Sequence, residues 1–313
     1  MAGSFITRRL EFEFRLANNG SFKQPDDNVV LLTGYRASVY IVKVGGIGDY
    51  LAQMRIYGVD FALMNRLNTL GNRFYTQNVE PNQVSIAAGD DMRGMSSIFT
   101  GTIYNCWIDF DAAPEVALVV ECSVGLWARM LPIPASSYGQ PVDVAVVMQN
   151  LAQRLGCAFV NNGVSVTLSC PYFAGTIAQQ IDKAARAAGI NWAILGSLSG
   201  PLVIWPKGGH AGPPQTKYPV FSPDSGMIGY PTYTQMGISV RSVFTPGQTP
   251  EIGEVINVSS SLAPATGQWT PVVVEYNLET IRPNGRWEIG MNCCHPEFFA
   301  SGQAVLSAEN EQQ

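Results

Sequence analysis

Apolar and polar residues alternate through the first part of the chain. In Val39-Tyr-Ile-Val-Lys-Val44 the β-branched residues run up to Gly45-Gly46, and Met54-Arg-Ile56 follows after a short turn. Val116, Leu118, Val120, Cys122 and Val124 take every second position. A period of two is the signature of a strand, whose side chains leave the backbone on opposite faces. Turn chemistry at Gly45-Gly46, Gly58, Gly89-Asp90 and Asp111-Ala-Ala-Pro114 separates the runs. One stretch breaks the alternation: Phe61-Ala-Leu-Met-Asn-Arg-Leu67 reads as a single helical segment among strands.

The period then changes. Leu131-Pro-Ile-Pro134 through Gly139-Gln-Pro141 reads as a boundary, because prolines cannot donate to a central ladder. Beyond it Val144, Val147, Met148, Leu151 and Leu155 form one helix face, with Gly156 placed to end the helix. Val164, Val166 and Leu168 alternate with Ser165, Thr167 and Ser169, which predicts a strand. Thr176-x-x-Gln179 has the spacing of a capping box and opens a second helix. Its apolar face is Ile177, Ile181, Ala184, Ala185 and Ala188, and Gly189 closes it. Residues 192–195 and 202–205 then predict a hairpin around Gly200. Helix followed by strands occurs twice here, which makes a small α/β module.

Pro206-Lys-Gly-Gly-His-Ala-Gly-Pro-Pro214 is the clearest linker. Strands return over 237–244, 253–258, 271–277 and 286–293, and the polar tail from Ser301 to Glu-Asn-Glu-Gln-Gln313 reads as frayed. The expected order is therefore a β domain over 1–130, an α/β module over 131–206, a second β domain over 207–300 and a tail over 301–313. The fold class is mainly β.

Composition changes this picture in one respect. Of 313 residues, 46% are hydrophobic and only 14% charged, well below the usual quarter. So little charge implies that much of the surface is covered by other subunits. The length suits two or three domains. No apolar run approaches the ~18 residues of a membrane helix. The opening Met1-Ala-Gly-Ser-Phe5 lacks the order of a signal peptide, so a reduced, cytoplasmic folding environment is expected. The net charge of −5 and the scattered basic residues argue against nucleic-acid binding.

Reactive constellations are scarce. The two histidines, His210 and His295, both read as loop residues, so a Ser-His-Asp or Cys-His site lacks its rigid base. None of the six cysteines (Cys106, Cys122, Cys157, Cys170, Cys293, Cys294) shows CxxC spacing. Cys293-Cys294-His295 offers sulfur and nitrogen ligands, yet neighbours on a strand point to opposite faces. Asp90-Asp91 and Asp109-x-Asp111 are carboxylate pairs of the kind glycosidases use, but both sit where turns need acceptors. Gly45-Gly-Ile-Gly48 lacks full GxGxxG spacing and reads as a hairpin turn. Trp107, Trp127, Trp192, Trp205, Trp269 and Trp287 are spread one per element, as core and contact residues are. This reading assigns no catalytic, cofactor-binding or metal-binding residue, and no cofactor.

One resemblance follows from the order of several short segments. Thr33-Gly-Tyr-Arg-Ala37, Arg55-Ile-Tyr-Gly58, Met64-Asn-Arg-Leu67, Asn82-Gln-Val-Ser-Ile86, Ala88-Gly-Asp90 and Ile98-Phe-Thr-Gly-Thr-Ile103 form the first set. Thr176-Ile-Ala-Gln-Gln-Ile181 and Gly189-Ile-Asn-Trp192 mark the module, and Trp287-Glu-Ile-Gly290 the end of the last β segment. Over roughly residues 5–298 this series resembles the hub proteins of contractile phage baseplates, with the late-control D proteins and the first half of type VI secretion spike proteins. The resemblance implies two tail-tube-like β-barrels flanking a LysM-like α/β module. It also implies a homotrimer that joins a sixfold tail tube to a threefold central spike during genome ejection. Its expected partners are itself, the tail tube protein, the spike and other baseplate subunits, with the tape measure protein among them. Its expected place is the virion tail, after synthesis and assembly in the host cytoplasm. Two readings of other classes compete: a cell-wall or glycan-binding module, suggested by the LysM-like middle, and a peptidoglycan hydrolase.

Overall fold

The computed structural model describes residues 6–16, 28–45, 50–68, 82–111, 113–124, 133–195, 200–207, 209–212, 218–235 and 237–295. The expected turn over 46–48, Trp127, the start of the boundary at 131–132, parts of the 206–214 linker and the tail over 301–313 lie outside these residues.

The fold is mainly β. The chain opens with β1 (Arg8–Arg15), β2 (Val29–Thr33), β3 (Arg36–Val44), β4 (Tyr50–Tyr57), the helix α1 (Phe61–Leu67), β5 (Gln83–Asp90), β6 (Gly94–Asp109) and β7 (Ala117–Val124). The module holds β8 (Ser136–Ser137), β9 (Val142–Asp143), α2 (Val144–Leu155), β10 (Phe159–Asn161), β11 (Thr167–Leu168), β12 (Tyr172–Phe173), α3 (Ile177–Ala188), β13 (Ile190–Ile194) and β14 (Leu202–Pro206). After it come β15 (Val220–Phe221), β16 (Thr232–Thr234), β17 (Gly237–Val243), β18 (Ile256–Val258), β19 (Gly267–Thr280) and β20 (Trp287–Cys294).

The strands on the two sides of the module share one 13-stranded sheet, ordered β16-β17-β20-β19-β3-β4-β7-β6-β5-β1-β2, with β18 and β15 added beside β19. The junction is antiparallel: β19 pairs with β3 from Val273 opposite Val44 to Thr280 opposite Ala37. The sheet curls until β1 touches β19, where the Arg8 guanidinium donates to the Gly285 carbonyl at 2.9 Å. Alternation buries one face of each long strand, as with Leu10, Phe12 and Phe14 on β1 or Val274, Tyr276 and Leu278 on β19. A single apolar cluster results, in which Phe12, Ile41 and Val120 share a core with Val240, Tyr276 and Met291. The module keeps a core of its own, made by α2 and α3 on the β10-β14-β13 sheet.

Several sequence expectations change length for local reasons. The strand expected over 164–168 shrinks to Thr167–Leu168. The Asn161 side chain accepts from the Val164 amide (2.8 Å) and donates to the Val164 carbonyl (2.9 Å), which takes both groups from any ladder. The strand expected over 253–258 begins only at Ile256, because Gly253 takes φ +79° in a turn bonded from Glu254 N to Glu251 O. Conversely, the 271–277 strand grows to Gly267–Thr280, and Pro271 is tolerated because the register shifts between it and Val273. On α2 Ala152 replaces Leu155 in the buried set, and on α3 Gln180 joins it while Ala188 is only half-buried.

Candidate assembly surface and module joint

The residues singled out for chemistry serve mostly in turns and in the core. Asp90 Oδ1 accepts from the Met92 and Arg93 amides (2.9 and 2.6 Å), and Asp91 Oδ1 accepts from Thr7 N (3.0 Å). Asp109 accepts from the Asp111 amide (3.0 Å) and from Arg55 (2.7 Å), and these bonds hold its carboxyl below the usual range. Asp90, Asp91 and Asp109 are therefore engaged as turn and strand-end acceptors. Cys293 faces the main core, while the Cys294 thiol turns the other way and donates to the Thr270 carbonyl at 3.7 Å. Burial pushes the Cys294 thiol up to about 11 and the Cys106 thiol to about 12, so both stay protonated and poorly nucleophilic. The His295 ring lies edge-on to Trp269 with centroids 5.8 Å apart. Among the described residues no three His, Cys, Asp or Glu side chains gather as a metal site. No described helix is long and apolar enough to cross a membrane.

The main path of the sheet ends in two strand edges, and one rim carries arginines. Among the described strands β2, at one end of that path, pairs only with β1, and β16, at the other end, only with β17; β15, on a side branch, pairs only with β18. Apolar side chains stand out nearby: Leu31 is 54% exposed beside one edge, and Tyr230 and Tyr233 are 65% and 58% exposed beside the other. Open edges of this kind invite pairing with another chain. Arginines that are scattered in sequence lie beside acidic partners at this rim. Arg36 pairs with Glu115 (2.8 Å) and Arg282 with Glu279 (2.5 Å), and Arg282 and Arg286 line a cleft of about 410 Å³ with Asn277 and Asn284.

The module meets the sheet at a tight joint that the sequence did not reveal. Asn162 Nδ2 donates to the Ala211 carbonyl, Ala211 N to Gly253 O (3.0 Å), and Gly253 N to Pro271 O (3.1 Å). A Cβ at Gly253 would lie 2.8 Å from Ala211 Cβ and 3.1 Å from the Trp205 ring, so the crossing requires glycine. On the same loop Glu251 reaches Lys43, whose ammonium lies 2.6 Å from Glu251 Oε1. One signal for this pair was present: Lys43 is in phase with Ala37, Val39 and Ile41 on the buried face of β3.

Residues 61–283, well over half of the chain, match the model of the family described as baseplate hub gp41. The chain belongs to that family. This baseplate hub protein is a structural component of a phage tail baseplate. Solved structures show the same fold at low identity. A tail protein from Neisseria meningitidis MC58 shares 10% identity over 93% of this chain and 98% of its own, with a TM-score of 0.61. The 43 kDa tail protein of prophage MuSo2 from Shewanella oneidensis shares 8% over 92% and 98%, with a TM-score of 0.57. The E. coli c3393 protein, a type VI secretion component described as similar to T4 tail proteins gp27 and gp5, shares 12% over 83% and 73%, with a TM-score of 0.52. A comparison with curated protein sequences finds no match.

Proposed function

We propose that three copies of this hub protein form a ring that joins the sixfold tail tube to the threefold central spike, without catalysing a reaction. The observation that carries this reading is a sheet drawn from both sides of the module whose main strand path ends in two edges, β2 and β16, with β15 ending a side branch. A ring subunit needs two such ends, one for each neighbour. In the proposed ring the β-rich segments over 5–130 and 215–298 act as two tube-like barrels, so that three chains present six equivalent positions. The low charged fraction, 14%, fits a subunit whose surface is largely covered. The net charge of −5 suits a channel along which DNA moves without sticking. The partners are the tube protein, the spike, and other baseplate subunits including the tape measure protein, all met in the virion tail after assembly in the host cytoplasm. Engagement of Asp90 and Asp109 as turn acceptors supports the non-catalytic part. Cryo-electron microscopy of assembled tails tests the reading. Three hub copies per tail are expected, with β2 and β16 covered by neighbours. Six copies, or two β segments that do not superpose as barrels, would overturn it.

A further inference from the structure

Beside the module joint lies a buried polar cluster that the assembly reading leaves without a purpose. Lys43 is 1% exposed. Besides Glu251, its ammonium faces the Tyr50 ring at 5.5 Å and the Tyr276 ring at 5.4 Å. Strand register fixes this grouping, since Lys43 lies opposite Tyr50 on β4 and opposite Val274 on β19, with Tyr276 next on the same face. Tyr50 and Tyr276 are themselves 4% and 0% exposed. Three polar atoms here are shut off from solvent and have no hydrogen-bond partner among the described residues: Tyr50 Oη, Tyr276 Oη and Glu251 Oε2.

Buried polar atoms of folded proteins are nearly always satisfied, by protein or by ordered water. Charge decides what can satisfy these atoms. Lys43 and Glu251 already cancel, so an anion would meet the carboxylate and a cation would meet the ammonium. Glu254 borders the group, with its carboxylate 3.4 Å from the Glu251 amide, and burial pushes its carboxyl up toward the neutral form. The two hydroxyls each donate and accept, and the carboxylate oxygen only accepts. A small neutral molecule with both donors and acceptors matches that set, and water is held stably by two to four such partners.

We propose that this cluster binds ordered water that bridges Tyr50 Oη, Tyr276 Oη and Glu251 Oε2 around the Lys43–Glu251 pair. The bridged network fastens the loop over 251–254 to β3, β4 and β19, and that loop in turn carries the joint to the module.

The test uses the full-length chain at a resolution that shows solvent. The expected result is a density peak at hydrogen-bond distance from at least two of the three atoms. Tyr50→Phe and Tyr276→Phe keep the rings against the ammonium and remove only the hydroxyls. A hydroxyl bridged by water supports the fold and an orphaned one burdens it, so the sign of the change discriminates. Each variant is expected to melt lower by about 2–4 °C and to weaken the peak. No peak beside these atoms, a peak at the short distances of a coordinated cation, or variants that melt at or above the wild-type temperature would each overturn the proposal.

Discussion

The α/β module and the β body around it are held together by opposite means. Each module helix carries its own start and stop signals. Asp143 and Gly156 bound α2, and Thr176, with its reciprocal Gln179 bonds, and Gly189 bound α3. The module core, from Val144 to Ile204, closes within one short stretch of chain. The body instead joins distant segments, as where Lys43 meets Glu251 across 208 residues. A cap is specified by four neighbouring residues, whereas a ladder depends on a register that forms only once both strands are present. The module is thus a locally encoded unit set into a body that is encoded by pairing at long range.

The largest expected effect strikes the long-range pairing. Ile41 is fully buried on β3, between β4 and β19, and Ile41→Asp should cost roughly 5 kcal/mol by burying a charge. Denaturant unfolding followed by tryptophan fluorescence and far-ultraviolet dichroism should show the body opening while the helices persist. Coincident loss of both signals would break the comparison. Leu151→Asp is the converse, at about 4 kcal/mol, because Leu151 is fully buried between the helices and their sheet. The helical signal should then go first, and a variant that melts with the wild type would contradict the packing.

Lys43→Met should cost about 3 kcal/mol, since it strands the Glu251 carboxylate without its cation. Adding Glu251→Gln should recover part of that loss in a double-mutant cycle, and strict additivity would show that the pair does not interact. Thr176→Ala removes one half of the capping box and should cost about 1 kcal/mol, read from the helical melting curve. The smallest effect is in pH. Burial raises the Glu254 carboxyl above its ordinary value of 4.5, so the native state binds the proton more readily than the unfolded chain. Its contribution is full below that value and fades as pH rises through the raised one. Against Glu254→Gln, the wild type should therefore lose relative stability as pH rises above that ordinary value. A relative gain would reverse the assignment.

What the sequence made legible follows the same division. Both helices, their caps, the hairpin of β13 and β14, and the turn roles of Asp90 and Asp109 could be read from near neighbours. Alternation located β3, β4 and β7, yet it could not say that β3 lies beside β19. Lys43 occupied an inward position that hydrophobicity alone discounts, because the carboxylate that neutralises it lies far along the chain. Gln180 was passed over on α3 for a similar reason. Its amide is fully buried, but it is satisfied by Ser136 (2.7 Å) and by the Pro134 and Gly175 carbonyls (3.2 and 2.9 Å), none of them on that helix. The arginine rim escaped notice because it forms only where the β19–β20 turn meets the starts of β1 and β3.

The glycine at the joint has a mechanical consequence. Residue 253 bonds to Ala211 on one side and Pro271 on the other, and it touches Trp205 with no side chain between them. A tether that short leaves little slack. The module is therefore coupled to the sheet as a lever arm rather than hung from it as a pendant, and a load applied to its helices is delivered to β19 within a few bonds. In a tail baseplate, that stiffness would let a push on one domain register in the sheet at once.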